Sequence, residues 1–318
     1  MMKSNVTPLV EGGLLTAIAV ILGLATVYLP ILGLAIEFFC AVPIVVLTFR
    51  QGEGKGLMSL TVSFVLLAMF VGPILAMRIA LSFGICGLIL GYCLRRGLGA
   101  VKCFVATLVT AFIAQVIAIG LLTTAMGMNV METEISAVKE SFEQTFQMYE
   151  SMGVDQETIS QARAQVEPTL QLLGFLMPTI LMLMAVFNAL ACYLTSQWIF
   201  KKLRLKFAEP MPPFAEWRFP IIFLYVAAFS ILGVYWGGTR GWDLLYTISI
   251  NATFISMTVG LLQGLSLLSC LADRYNVSKL VRRIIFVIII LNMMTLEIVA
   301  FTGLFDMIFD YRKKIKRE

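Results

Sequence analysis

Four ionisable side chains stand inside, or close to the end of, otherwise apolar runs: Glu37, Arg78, Glu297 and Asp306. A charge in that setting is costly unless it faces a protein interior, a water-filled cavity or a partner. Glu37 and Arg78 are of opposite sign. On the topology developed below they lie at similar depth, roughly 6–9 Å beneath the outer face at about 1.5 Å per residue. They could flank an outward-facing pocket, where the guanidinium would suit a carboxylate or phosphate group. They could equally form a structural ion pair, or Arg78 could snorkel to the outer headgroups. Neutral polar residues at depth extend the set. Gln115 and Asn188 are isolated, and Asn251 belongs to a polar series with Thr247, Ser249, Thr253, Ser256, Thr258 and Gln263. The candidate substrate-binding residues are therefore Glu37, Arg78, Gln115, Asn188 and Asn251, although interhelical hydrogen bonding would also explain any of the neutral ones.

Catalytic chemistry finds few footholds. The chain has no His, which removes imidazole metal ligands, Ser-His-Asp and Cys-His catalysis and His proton relays. None of its six Cys forms a C-x-x-C, and all lie in or beside apolar runs, where cysteine behaves as a small hydrophobe. The stretch Gly52-Glu53-Gly54-Lys55-Gly56 lacks both the spacing and the Ser/Thr of a P-loop, so this chain alone is not a primary pump. Deep in the runs there is no pair of Asp residues for an intramembrane aspartyl dyad. The expectation is a protein that is not an enzyme, with no metal site and no cofactor.

The elements that must position these residues are membrane helices. Of the 318 residues, 59% are hydrophobic and 14% charged, against roughly 25% charged in soluble domains. Apolar stretches near the ~20-residue spanning length occur at about 10–29, 32–49, 57–72, 74–94, 99–126, 169–200, 218–237, 243–272 and 283–303. The first is long for a signal-peptide core and has no clear cleavage site, so it is read as a retained span. Basic clusters follow the even-numbered stretches: Arg50 and Lys55; Arg95, Arg96 and Lys102; Lys201, Lys202, Arg204 and Lys206; Arg274, Lys279, Arg282 and Arg283. The positive-inside rule then puts the N-terminus in the cytoplasm. The last stretch breaks the pattern, because a full crossing would carry the tail Arg312-Lys313-Lys314-Ile315-Lys316-Arg317 outside. Either it bends back near Thr302-Gly303 or the charge rule fails here, giving eight or nine membrane segments.

Residues 127–168 interrupt the apolar chain with eight acids against two bases and fall on the outer side. Ile135, Val138, Phe142, Phe146 and Tyr149 recur every three or four residues, the stripe of an amphipathic helix. Asp155 after Gly153 is positioned to cap a second helix through Val166. This hairpin could cover the outer mouth of the bundle or could simply connect two spans. In the fourth stretch Ala80, Gly84, Gly87 and Gly91 form a strip of small residues opposite Arg78, and Thr16, Ala19 and Gly23 form a looser one in the first. Such faces let helices approach closely, within the bundle or against a partner subunit.

Three pieces resemble the YybS-like family of bacterial membrane proteins of unknown function. They are Glu11-Gly12-Gly13-Leu14-Leu15, the connection Pro210-Met211-Pro212-Pro213-Phe214 with Trp217-Arg218-Phe219-Pro220, and the ending Leu304-Phe305-Asp306 with Phe309-Asp310-Tyr311-Arg312. The resemblance covers most of the chain and implies a bacterial inner-membrane location, with no known activity. The first six stretches are also similar in layout to the substrate-binding S components of energy-coupling-factor vitamin transporters. That likeness implies an outward pocket and docking of helix 1 to a coupling subunit. The long acidic insert and the additional segments depart from it.

The expected architecture is thus all-α and polytopic. Residues 1–206 form a six-segment S-component-like bundle that includes the extracytoplasmic insert at 127–168, and residues 207–318 form the C-terminal segments and basic tail. The expected partners are the lipid bilayer, a small-molecule ligand and a membrane partner subunit, and no nucleic acid. Solute binding or transport is the leading expectation, and a membrane scaffold or assembly factor is the alternative.

Overall fold

The computed structural model describes residues 6–127, 130–208 and 211–313, which are helical with no strand among them. Pro210 and the tail beyond Lys313 lie outside the described residues. In chain order the helices are α1 (Val6–Tyr28), α2 (Pro30–Glu37), α3 (Val42–Gln51), α4 (Glu53–Val71) and α5 (Pro73–Ile79), then a π-helical turn (Ala80–Gly84), α6 (Ile85–Arg95) and α7 (Ala100–Met126). They continue with α8 (Val130–Ser151), α9 (Gln156–Lys202), a 3-10 turn (Phe214–Glu216), α10 (Ile222–Arg240), α11 (Asp243–Arg274), α12 (Lys279–Leu291) and α13 (Met293–Phe309). Among the described residues seven helices are long and apolar enough to span a membrane, or eight if the bent pair α12–α13 counts as one span. The protein is therefore a polytopic helical membrane protein. The second predicted stretch is missing from those seven because it is split into α2 and α3, neither of which is long enough alone.

The helices group into two compact units, residues 1–144 with 180–211 and residues 145–179 with 212–318. This division differs from a cut after residue 206, because residues 145–179 group with the C-terminal part. In the first unit α3, α6, α7 and the second half of α9 enclose Val45, Cys86, Leu90, Cys103, Tyr193 and Phe200. An edge-to-face aromatic chain, Phe104–Tyr193–Phe207–Phe200–Phe49, runs through and beside this core. The glycine strip makes this packing possible. A Cβ on Gly87 would stand 2.8 Å from the Ala41 carbonyl, and one on Gly91 2.7 Å from that of Val45. Gly84 faces Leu60 of α4 in the same way. On α1, Ala19 is buried, Gly23 abuts Leu67, and the Thr16 and Ser59 hydroxyls are 2.8 Å apart. Both small-residue faces are thus filled by helices of this chain.

In the second unit α10 and α11 form a hairpin in which Gly233 meets Ser249 and Gly237 meets the Tyr246 backbone. α13 lies along α11 through Gly260, Gly264 and Gly303, so close that a Cβ on Gly260 would come within 2.6 Å of the Ala300 carbonyl. Pairing of Gln263 with Asp306 and of Ser266 with Arg312 shows the two helices running in the same direction. α12 and α13 are bent by 106° at Asn292, whose side chain accepts from the Thr295 amide at 3.0 Å and so caps the new helix. Arg282 in the first turn of α12 reaches Ser269, and Arg312 just beyond α13 reaches Ser266. Both ends of the pair therefore meet the same turn of α11, and the pair doubles back on itself. The bend falls at Asn292 rather than near Thr302-Gly303, because Gly303 is committed to the α11 seam.

The acidic insert is two helices, as its periodicity predicts. α8 and α9 are joined by a turn with Gly153 at φ +78° and Asp155 just before α9. The second helix does not stop at Val166. It continues through Pro168 and Pro178 to Lys202, since a proline is tolerated where neighbouring side chains satisfy the backbone groups it frees.

Candidate functional site

Two irregular stretches of backbone meet at membrane depth in the first unit. Between α2 and α3, residues Phe38–Ala41 tighten into i→i−3 bonds, with the Phe39 amide donating to Ile36 at 2.8 Å and the Cys40 amide to Glu37 at 3.2 Å. The carbonyl of Phe38 turns outward and accepts from the Thr195 hydroxyl at 2.9 Å. In the fourth segment the π-turn widens the helix, and the Ser82 carbonyl accepts from Asn188 Nδ2 at 3.1 Å. Two polar residues of α9 thus cap the two loosened carbonyls. Non-helical backbone within a membrane persists only where it is so protected or where it lines a cavity, and mid-helix 3-10 and π turns recur at functional sites.

Here both conditions are met. A cavity of about 20 Å³ lies against the two breaks, lined by Cys40 from one and by Ala80, Phe83 and Gly84 from the other, with Ser63 across from them. That is room for about one water molecule. Two polar atoms of this region are buried without a hydrogen-bond partner among the described residues, Ser63 Oγ and Asn188 Oδ1.

The predicted residues divide accordingly. Glu37 ends α2 and is half-buried at the entrance to the first break, whereas Arg78 on α5 is exposed. No hydrogen bond or ion pair among the described residues joins the two, and neither lines the cavity. Gln115 is half-buried and points its amide at Met184 Sδ, 3.6 Å away. Asn188 is the one candidate that caps a break directly. Asn251 belongs to the other unit, where its carboxamide is fully engaged. Pro178 disturbs the α9 ladder, and Asn251 bridges the gap by accepting from the Thr179 amide at 2.9 Å and donating to the Phe175 carbonyl at 2.6 Å. The Thr179 hydroxyl adds a third bond at 2.6 Å. Thr195 and Ser63 were missed, because hydroxyls are common in spans and only the α2–α3 break gives these two their role.

The second unit holds a closed polar network that the sequence reading left scattered. Asp306 and Arg312 are buried, with side chains 2% and 3% exposed, and lie 3.4 Å apart. Gln263 donates to Asp306 at 2.6 Å and accepts from the Phe219 amide at 3.1 Å. The Tyr311 amide donates to the other Asp306 oxygen at 3.0 Å. Arg312 donates to the Ala215 carbonyl at 2.7 Å and to Ser266 at 3.0 Å, and Ser266 in turn donates to the Phe214 carbonyl. At the rim Asp310 pairs with Arg218 at 2.9 Å and with Lys313 at 2.8 Å. The hydrogen bond from Lys313, and then that from Arg218, hold the Asp310 carboxyl below the usual carboxylate range against the opposing effect of burial. With each charge partnered, this cluster pins the returning chain end to the 212–219 connection. A clue was present in the sequence: Gln263 and Ser266 are three apart, so they share one helix face.

A broken second segment, a π-turn and a sharply bent final pair define a class, polytopic helical membrane proteins with irregular backbone held inside the bundle. Residues 17–307 match the family described as "Predicted membrane protein (DUF2232)", and the chain belongs to that family. It is also similar to "Uncharacterized protein YybS" of Bacillus subtilis (strain 168), with 24% identity across 97% of this chain and 98% of that protein. No solved structure matches. The pieces that resembled the YybS-like family have structural work in this fold. Glu11 pairs with Arg50 and accepts from Gln51, and the 211–220 connection and the 304–312 ending build the Asp306–Arg312 network.

Proposed function

We propose that this protein binds, and in some state conducts, a small solute at the paired breaks of the first unit, and that it catalyses no reaction. The observation that carries this reading is the meeting of Phe38–Ala41 with the Ala80–Gly84 turn around a small cavity whose wall holds the unpartnered Ser63 hydroxyl. Broken membrane helices offer backbone and side-chain groups to a ligand where an unbroken helix offers none. At about 20 Å³ the cavity fits a closed state, so binding a solute larger than water requires the breaks to part. Glu37 stands at the entrance. With no P-loop, movement of a solute would draw on an external gradient or a coupling subunit.

In the same reading the protein lies in the bacterial cytoplasmic membrane with its N-terminus inside and the 127–168 hairpin outside. Read as re-entrant, the α12–α13 pair supports this orientation, because it returns Arg312 and Lys313 to the side of Arg274, Lys279 and Arg283. Those charges then obey the positive-inside rule without exception.

The test is mass spectrometry of small molecules released from detergent-purified protein. Wild-type protein is expected to release a non-lipid compound that Glu37→Gln and Asn188→Leu protein do not, while all three remain monodisperse. Release of the same compounds by all three would refute the site.

A further inference from the structure

We propose that the groove between the end of α11 and the start of α12 is a binding site for an anionic phospholipid, distinct from the solute site of the first unit. The open groove has a volume of about 180 Å³. Leu268, Leu271, Val277, Ile285 and Phe286 line it, with Arg282 the one charged residue in its wall. Apolar walls of this kind exclude a hydrophilic ligand and suit an acyl chain.

The charge around the groove selects the headgroup. Arg282 is held by Ser269 at 3.1 Å and by the Asp273 carboxylate. Its Nε–H is buried and has no hydrogen-bond partner among the described residues. Arg274, Lys279 and Arg283 stand exposed around it, and Asp273 is the one acid between residues 273 and 283. Four bases against one acid leave a net positive rim. α12 then changes character within one turn: its basic start is followed by Ile284, Val287, Ile288 and Leu291, which are 50–80% exposed. A helix with a basic start and a bare apolar body places its start at headgroup level and its body among acyl chains. A basic pocket between helices at that level binds anionic headgroups. The phosphodiester would sit among Lys279, Arg282 and Arg283, with one acyl chain in the groove.

Native mass spectrometry of the full-length protein in detergent, titrated with phosphatidylglycerol or phosphatidylcholine, tests the proposal. Wild-type protein is expected to prefer phosphatidylglycerol by about tenfold or more. Lys279 and Arg283 are exposed, so the double variant Lys279→Ala/Arg283→Ala should fold normally. It should lose about fivefold in phosphatidylglycerol affinity per base removed. Ile285→Trp, which fills the groove from an exposed position, should weaken that lipid without altering the charge. Equal binding of the two lipids by wild-type protein would overturn the site. So would an unchanged preference in the double variant. If Ile285→Trp leaves phosphatidylglycerol binding intact, the attraction belongs to surface charge alone and the groove is not a site.

Discussion

The two units treat buried polar groups in opposite ways. In the second unit the Asp306–Arg312 network and the Asn251 bridge close on themselves, and most donors and acceptors within them meet one another. At the two breaks of the first unit the polar groups act singly. Asn188 and Thr195 each cap one loosened carbonyl, and Asn188 Oδ1 and Ser63 Oγ remain over. The second unit also leaves Ser256 Oγ, Arg282 Nε and Arg312 Nε without a hydrogen-bond partner among the described residues, and the first leaves Thr48 Oγ1, Tyr193 OH and Ser196 Oγ in its packed core. Polarity at membrane depth therefore does not by itself mark a ligand site. A carboxamide that replaces a missing backbone bond is structural, whereas a hydroxyl left without a partner in a cavity wall, as at Ser63, is available to a ligand.

That contrast can be broken first at its strongest point. Arg312→Ala leaves Asp306 charged and buried, and should cost about 3–5 kcal/mol, read as a large fall in melting temperature in detergent. Replacing both residues by apolar ones of similar size, Asp306→Leu with Arg312→Met, should recover most of the loss. A mild effect of Arg312→Ala would mean that the network does not hold the chain end.

Asn251→Leu comes next. It strands the Thr179 amide and the Phe175 carbonyl at the Pro178 break, and about 1–3 kcal/mol should be lost. Asn188→Leu removes one bond from the first unit and should cost about 0.5–1.5 kcal/mol. Thermal unfolding of the two variants side by side sharpens the comparison, and a costlier Asn188→Leu would reverse it.

The smallest effect concerns the rim. The Asp310 carboxyl is held low by Lys313 and Arg218, so its contribution to stability is present above the carboxylate's unfolded pKa. It is lost as pH falls through the lower folded value. Melting temperature should therefore drop less steeply on acidification in Asp310→Asn than in the wild type.

Much of this fold was legible in the sequence, and the illegible parts share a cause. Run length marked the spans, and the three-to-four spacing from Ile135 to Tyr149 marked α8. The break at Phe38–Ala41 was hidden because the run 32–49 is almost uniformly apolar, and hydropathy does not register how a backbone is bonded. The π-turn was hidden for the same reason. Pairing of Glu37 with Arg78 was inferred from depth alone, and depth says nothing of azimuth, so the structure leaves Arg78 exposed and apart from Glu37. Asp306 and Arg312 could not be matched while the tail's side was open. The reversal at Asn292 is what brings them beside Gln263 and Ser266. The Gly260 and Gly264 spacing was readable but was overshadowed by the polar residues around it.

The account rests on the claim that the break at Phe38–Ala41 opens to solution. Cys40 and Cys192 are both buried in the core of the first unit, but only Cys40 also lines the cavity. The direct measurement is the reaction rate of each thiol with a membrane-impermeant maleimide, using single-cysteine versions of the protein in sealed vesicles. The account predicts that Cys40 is labelled from the side bearing the 127–168 hairpin, well ahead of Cys192. Equal protection of both cysteines from that side would contradict it.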